Sequence, residues 1–230
     1  MPLDPALVRE RVAAVKASVA EAAQRAGRDS SRVELLAAVK YVKPEDLPVL
    51  AEARVERVGE NTAAALLVKQ SAGDERFTWD FIGHLQSRKA RDVVGRVDLI
   101  HSLASDSTAR QIDSRAEEPQ GVLVEVNVAD DPAKHGVAAH DVDAFLERLA
   151  AFERVRVRGL MTMPPFTNDP ESSRPFFARL RGLAGACAER WAGTHAFDVL
   201  SMGTSQDYLV AVEEGATIVR LGSVLYKAEG

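Results

Sequence analysis

The chain has 230 residues and 46% apolar side chains, enough to bury a core, which excludes a disordered or fibrous class. Its 29 basic and 34 acidic residues leave a net charge of -5, which argues against a broad nucleic-acid-binding face. The single cysteine, Cys187, cannot close an internal disulfide and fits a reducing compartment. Asp4, Arg9, Glu10 and Arg11 stand where a signal peptide needs an apolar run, and no stretch approaches the ~20 apolar residues of a membrane span, so the expected location is cytoplasmic. Only seven of the 29 basic residues are lysines, so a lysine in an unusual place carries information.

The first predicted element is a helix. Asp4 caps it, Pro5 suits its first position, Val8, Val12, Val15 and Val19 line one face, and Gly27 ends it. Short apolar runs then alternate with helical patterns. Strands are predicted at 33–39, 55–58, 78–82, 97–101, 122–128, 155–160, 197–200 and 217–221. Helices are predicted at 45–54, 61–70, 86–94, 106–117, 141–151, 173–191 and 205–213. Several strands are apolar almost throughout, as in parallel strands covered on both faces. Eight strand–helix units predict a (β/α)₈ TIM barrel with an extra N-terminal helix, in one domain over 1–230. An open doubly wound sheet would carry a glycine-rich turn after its first strand, and here that strand runs into Lys40-Tyr41-Val42-Lys43.

A barrel collects its chemistry at the carboxyl ends of its strands. Polar side chains fall there in almost every unit, Lys40, Asn61, His84, His101, Ser201, Thr204, Arg220 and Ser223 among them, with Gly222 offering close backbone approach. Lys40 follows LLAAV, where a partly desolvated amine would be suited to attack a carbonyl; a lysine that snorkels out of a strand end is the structural alternative. Ser201–Ser205 and Gly222-Ser223 lie in the two loops where barrels often hold a phosphate. Arg220, inside the apolar run TIVRLGS, needs a partner, either an acidic neighbour or a ligand. No spacing of His, Cys, Asp or Glu suggests a metal site.

These motifs resemble the pyridoxal phosphate homeostasis family of fold-type III proteins, which share the barrel of the alanine racemase N-terminal domain. The matching segments are LLAAVKYV around Lys40, VGEN at 58–61, FIGHLQSRKARDVV at 81–94, VNVADDPAKHGV at 126–137, VRGLMTMPPF at 157–166, LSMGTSQD at 200–207 and EEGATIVRLGS at 213–223. The resemblance implies that Lys40 carries pyridoxal 5'-phosphate as an internal aldimine. It implies phosphate contacts from Ser201, Thr204, Gly222 and Ser223, with Arg220 near the pyridine nitrogen and Asn61 and His84 lining the same pocket. The chain departs from the family pattern at Val39, at Thr204 and at Tyr226-Lys227.

An arginine only donates hydrogen bonds, so it leaves the pyridine nitrogen unprotonated and the ring a weak electron sink. Racemases of this fold add a β domain that supplies a tyrosine base, and the seven residues after Ser223 are expected to leave no room for one. The leading expectation is therefore a monomeric pyridoxal phosphate binder acting in vitamin B6 and amino-acid homeostasis, in transient contact with enzymes that need the cofactor. A slow amino-acid racemase and, further off, a class I aldolase-like barrel are the alternatives.

Overall fold

The computed structural model describes residues 2–72 and 76–226. Lys227, half of the Tyr226-Lys227 departure, lies outside them. The N-terminal helix α1 spans Pro5–Arg25 and is capped by Asp4, whose carboxylate accepts from the N–H groups of Ala6 and Leu7. Its valine stripe is buried, and the helix packs against α2 (Leu47–Glu52), α7 (Tyr208–Glu213) and α8 (Ser223–Tyr226).

Nine strands follow in one sheet: β1 Glu34–Ala38, β2 Arg57–Glu60, β3 Thr78–Phe81, β4 Leu99–Leu103, β5 Gln120–Asn127, β6 Val137–Ala138, β7 Val155–Met161, β8 Val199–Thr204 and β9 Ile218–Leu221. All pairings are parallel, and β1 joins β9 while β4 joins β5, so eight strands close on themselves and two-residue β6 hangs on β5. The remaining helices are α3 Ala63–Ser71, α4 Asp106–Asp113, α5 Val142–Leu149 and α6 Arg174–Arg190. The (β/α)₈ barrel is therefore observed, with local differences. β6 is not among the expected strands, and β8 runs on to Thr204 past the expected end at 200, so that Ser201–Thr204 lie in the strand rather than in a loop. The helix expected at 86–94 is a 3₁₀ segment, Ser87–Asp92. It contributes only Ala90 to the interior, too little buried apolar surface to draw a longer α-helix onto the barrel.

Alternation along each strand sends one set of side chains out to the helices and the other inward. The outward set forms the main core, with Val58, Phe81, Ile100, Val124 and Val219 in contact with buried helix residues such as Leu66, Ile112, Phe145 and Phe177. Leu36, Leu99, Leu123, Met161 and Ile218 form a separate cluster inside the barrel. Two residues further along their strands, Ile218 gives way to Arg220 and Leu99 to His101, so the interior turns polar toward the carboxyl ends. No helix among the described residues is long and apolar enough to cross a membrane.

Candidate functional site

The carboxyl ends of the strands surround a cavity of about 460 Å³, lined by Lys40, Asn61, Thr204, Arg220, Gly222 and Ser223 together with Tyr41, Ser205, Met163 and Tyr226. That volume suits a small-molecule ligand. Six of the eight residues that the family resemblance assigns to the cofactor meet here, and two, Ser201 and His84, do not. Ser201 is fully buried beneath the cavity. His84 sits in a neighbouring cleft beside Lys134, its ring stacked on His135 at a centroid distance of 4.5 Å. A larger open cleft of about 1020 Å³ at the opposite barrel end, around Arg96, Gln120 and Arg156, takes none of them.

Lys40 differs from expectation in its surroundings. β1 stops at Ala38, and Val39 turns off the strand: its N–H donates to the Gly59 carbonyl at 2.9 Å while its own carbonyl accepts from Val42 N–H at 2.9 Å. The turn lifts Lys40 to the mouth, where it is exposed rather than partly desolvated, with Nζ 4.6 Å from the centroid of the Tyr41 ring. Tyr41 itself is 85% exposed.

Arg220 is buried and held from two sides: Nη1 donates to Ser201 Oγ at 2.5 Å and Nη2 to the Thr162 carbonyl at 2.9 Å. Burial pushes its pKa down to about 10, against the pull of Asp207 and Glu125, so at neutral pH it remains a cation and a pure donor. Behind it, Ser201 Oγ lies 3.0 Å from His101 Nδ1, and His101 Nε2 lies 2.9 Å from Asp80 Oδ2. Asp80 is in turn gripped by Arg57 Nη1 at 2.8 and 3.0 Å. Burial lowers the His101 pKa more than the adjacent Asp80 raises it, so the ring is neutral and its link to Asp80 is a hydrogen bond rather than an ion pair. At Arg57 burial also opposes the charge, but Asp80 and Glu34 outweigh it and raise the pKa.

The strand-eight loop is shaped by Asp207, which accepts from Thr204 N–H at 2.7 Å and Thr204 Oγ1 at 3.2 Å while Ser173 Oγ donates to its other oxygen at 2.9 Å. Ser205 Oγ accepts from Gly222 N–H at 3.0 Å, tying this loop to the one after β9. Two buried polar atoms among the cavity-lining residues have no partner: Asn61 Oδ1 and the Tyr226 hydroxyl, whose pKa burial raises.

Residues 11–230 match the family model described as the alanine racemase N-terminal domain. A protein of Aquifex aeolicus named pyridoxal phosphate homeostasis protein is 39% identical over 221 residues, covering 94% of this chain and 96% of that one. This chain belongs to the pyridoxal phosphate homeostasis protein family. Among solved structures, PipY of Synechococcus elongatus with pyridoxal phosphate bound superposes at a TM-score of 0.83, with 28% identity over 96% of this chain and all of PipY. The alanine racemase of Streptomyces lavendulae shares the fold at a TM-score of 0.78 and 17% identity, and 58% of its length is covered. Sequence reasoning placed Ser205 in the phosphate loop without giving it a role of its own, and assigned no role to Asp207, Asp80 or the buried pair Glu60–Lys69. A usable signal existed for Asp80, a charge between the bulky apolar residues of TWDFI; Lys69 ends the apolar run ALLV and is followed by Gln70 and Ser71, so it carried no such signal.

Proposed function

We propose that this chain binds pyridoxal 5'-phosphate at the barrel mouth, with the Lys40 amine holding its aldehyde carbon, and that it stores and hands on the cofactor. The residues present fit the group. Ser205 and Ser223 offer hydroxyl donors for a phosphate; Thr204, held by Asp207, and Gly222, whose N–H is taken up by Ser205, shape the loops that would hold it, while Arg220 offers a guanidinium donor that cannot protonate a pyridine nitrogen. Asn61 Oδ1, buried without a partner, is suited to accept from a ligand donor. When bound, the cofactor supplies an aldehyde and an electron-withdrawing ring. The chain's own part is to anchor, orient and release.

The observation that carries this reading is Arg220, buried and fixed by Ser201 and Thr162 on the cavity wall below an exposed lysine. The PipY structure with the cofactor bound and the name borne by the Aquifex relative support it. Racemisation needs a second base opposite the lysine. The lining tyrosines supply a poor one: Tyr41 is exposed with the Lys40 ammonium over its ring, and burial raises the Tyr226 phenol further from a neutral-pH base. The proposal takes the chain as a single domain and a cytoplasmic monomer that meets cofactor-requiring enzymes transiently. Ser201 acts through Arg220 rather than on the phosphate, and His84 serves the adjoining cleft.

Titration of purified protein with pyridoxal phosphate is expected to raise a visible absorbance band, and borohydride reduction with peptide mapping to place the label on Lys40. Lys40→Ala should lose the band. A band that survives in Lys40→Ala would refute the anchor, and amino-acid racemisation well above that of free cofactor would refute storage as the role.

A further inference from the structure

Among the described lysines, Lys69 is placed unlike the rest. It lies on the buried face of α3 with Ala63 and Leu66, and its ammonium is taken up entirely inside the protein. Nζ forms an ion pair with the buried Glu60 carboxylate and donates a hydrogen bond to the Val39 carbonyl at 2.5 Å. Glu60 uses its other oxygen to accept from the Asn61 N–H at 2.6 Å. The three groups therefore hold the residue just before Lys40 and the residue just before Asn61 to one point on α3.

A buried ion pair is a poor device for stability, because apolar residues of the same size do as well or better. It does something an apolar pair cannot, which is to fix a particular carbonyl and a particular carboxylate in place. Here the fixed groups sit where β1 has left the sheet: the Val39 side chain is buried in the core, and its backbone is tied by the Gly59 carbonyl, the Val42 N–H and Lys69. Without the ammonium, the turn that presents Lys40 has one anchor fewer.

We propose that Lys69, through Glu60, is a positioning residue for the cofactor site: it sets the backbone at Lys40 and the backbone at Asn61 relative to each other. This rests on the reading of the cavity as the pyridoxal phosphate site.

The test uses the full chain and pyridoxal phosphate itself. Lys69→Met alone strands a buried carboxylate and is expected to fold poorly. The principal variant is thus the neutral pair Lys69→Met with Glu60→Gln, which removes both charges and keeps an acceptor for the Asn61 N–H. Glu60→Gln alone is the second variant; it leaves Lys69 on the Val39 carbonyl, and because it also strands a buried ammonium its affinity is read well below its own thermal midpoint. The measurements are the thermal midpoint without cofactor, the dissociation constant for cofactor and the position of the visible band. The pair is expected to melt near the parent, to bind at least roughly tenfold more weakly, and to show a shifted band. The single variant should lose less. Parent-like affinity and band in the folded pair would overturn the clamp alone, as would equal losses in the two variants for the share assigned to Lys69. A parent that takes up no cofactor would overturn the site reading and the clamp together.

Discussion

At the scale of single residues, the barrel interior holds a row of donors with one possible direction. Asp80 accepts only, so His101 Nε2 carries the proton and Nδ1 accepts from Ser201, whose oxygen accepts in turn from Arg220. The row contains a serine, a histidine and an aspartate in hydrogen-bond order, yet Ser201 is fully buried with Arg220 capping its hydroxyl, so it has no access to a substrate. What the row does is hold the guanidinium of Arg220 at a fixed place on the cavity wall. It also makes fold stability sensitive to pH. His101 has a folded pKa below the ordinary 6.5, because burial outweighs the pull of Asp80. Below about pH 6.5 the unfolded chain binds a proton that the folded chain refuses, so stability falls as pH falls and the loss ends at the depressed folded pKa. Each pH unit in that window costs up to about 1.4 kcal/mol for this one group. In His101→Gln the decline in unfolding free energy between pH 7 and pH 5, read by urea denaturation, should be shallower, by no more than that limit per unit; equal slopes would show that His101 titrates normally.

At the scale of elements, the cavity depends on backbone that comes very close. Gly83 follows β3, and a Cβ there would lie 1.9 Å from the Asn61 carbonyl oxygen, so glycine is what allows the β2 and β3 ends to converge at Asn61. Gly203 in β8 has φ +89°, and a Cβ would meet Ala211 Cβ at 2.5 Å and Tyr208 Cα at 3.1 Å. Gly203→Ala combines left-handed strain with overpacking against α7 and is expected to cost about 2–4 kcal/mol, measured by denaturant unfolding. Cofactor affinity should fall with it, because Thr204 and Ser205 follow directly. A loss below about 1 kcal/mol would mean that α7 yields easily. Elements were the part of the fold most legible in the sequence: the valine stripe of α1 and eight apolar runs locate the helix and the barrel strands, and barrel geometry tells which end of each strand to read. That singles out Lys40, Arg220 and Gly222 as strand-end candidates, whereas a ligand-facing role for Asn61 came only with the family resemblance. Contacts across the barrel were not legible, since nothing in the spacing of Asp80, His101 and Ser201 says that β3, β4 and β8 bring them together. Ser201 shows the same gap from the other side: the sequence reading puts it in the loop after a strand ending at 200, but it lies within β8, where strand alternation turns its hydroxyl inward, away from the cavity. Lys40 shows it again, because the turn at Val39 is set by the Gly59 carbonyl and Lys69, partners 20 and 30 residues away.

At the scale of the whole molecule, the cavity walls come from both ends of the described chain. Leu3 precedes α1 and donates its N–H to Asp46 at 3.3 Å, Lys40, Asn61 and Ile82 follow the first three strands, and Met163, Thr204, Gly222 and Tyr226 come from the last three strand ends and α8. The β1–β9 pairing joins the same two halves from below. A ligand seated among these residues adds contacts between the halves that close the barrel, so it opposes any unfolding that opens the β1–β9 seam. A ligand that binds only the folded state stabilises it by about 2.7 kcal/mol at a hundredfold excess over its dissociation constant. For a protein of this size each kcal/mol raises the thermal midpoint by about 2–4 °C, so saturating pyridoxal phosphate should raise it by about 5–10 °C in a single transition. Lys40→Ala keeps the phosphate-binding groups and Arg220 and loses the covalent anchor, so its shift at the same cofactor concentration should be markedly smaller. Pyridoxine 5'-phosphate, which lacks the aldehyde, should affect the parent and Lys40→Ala alike. If the full shift persists in Lys40→Ala, the phosphate and ring contacts hold the cofactor unaided and Lys40 is not its principal anchor.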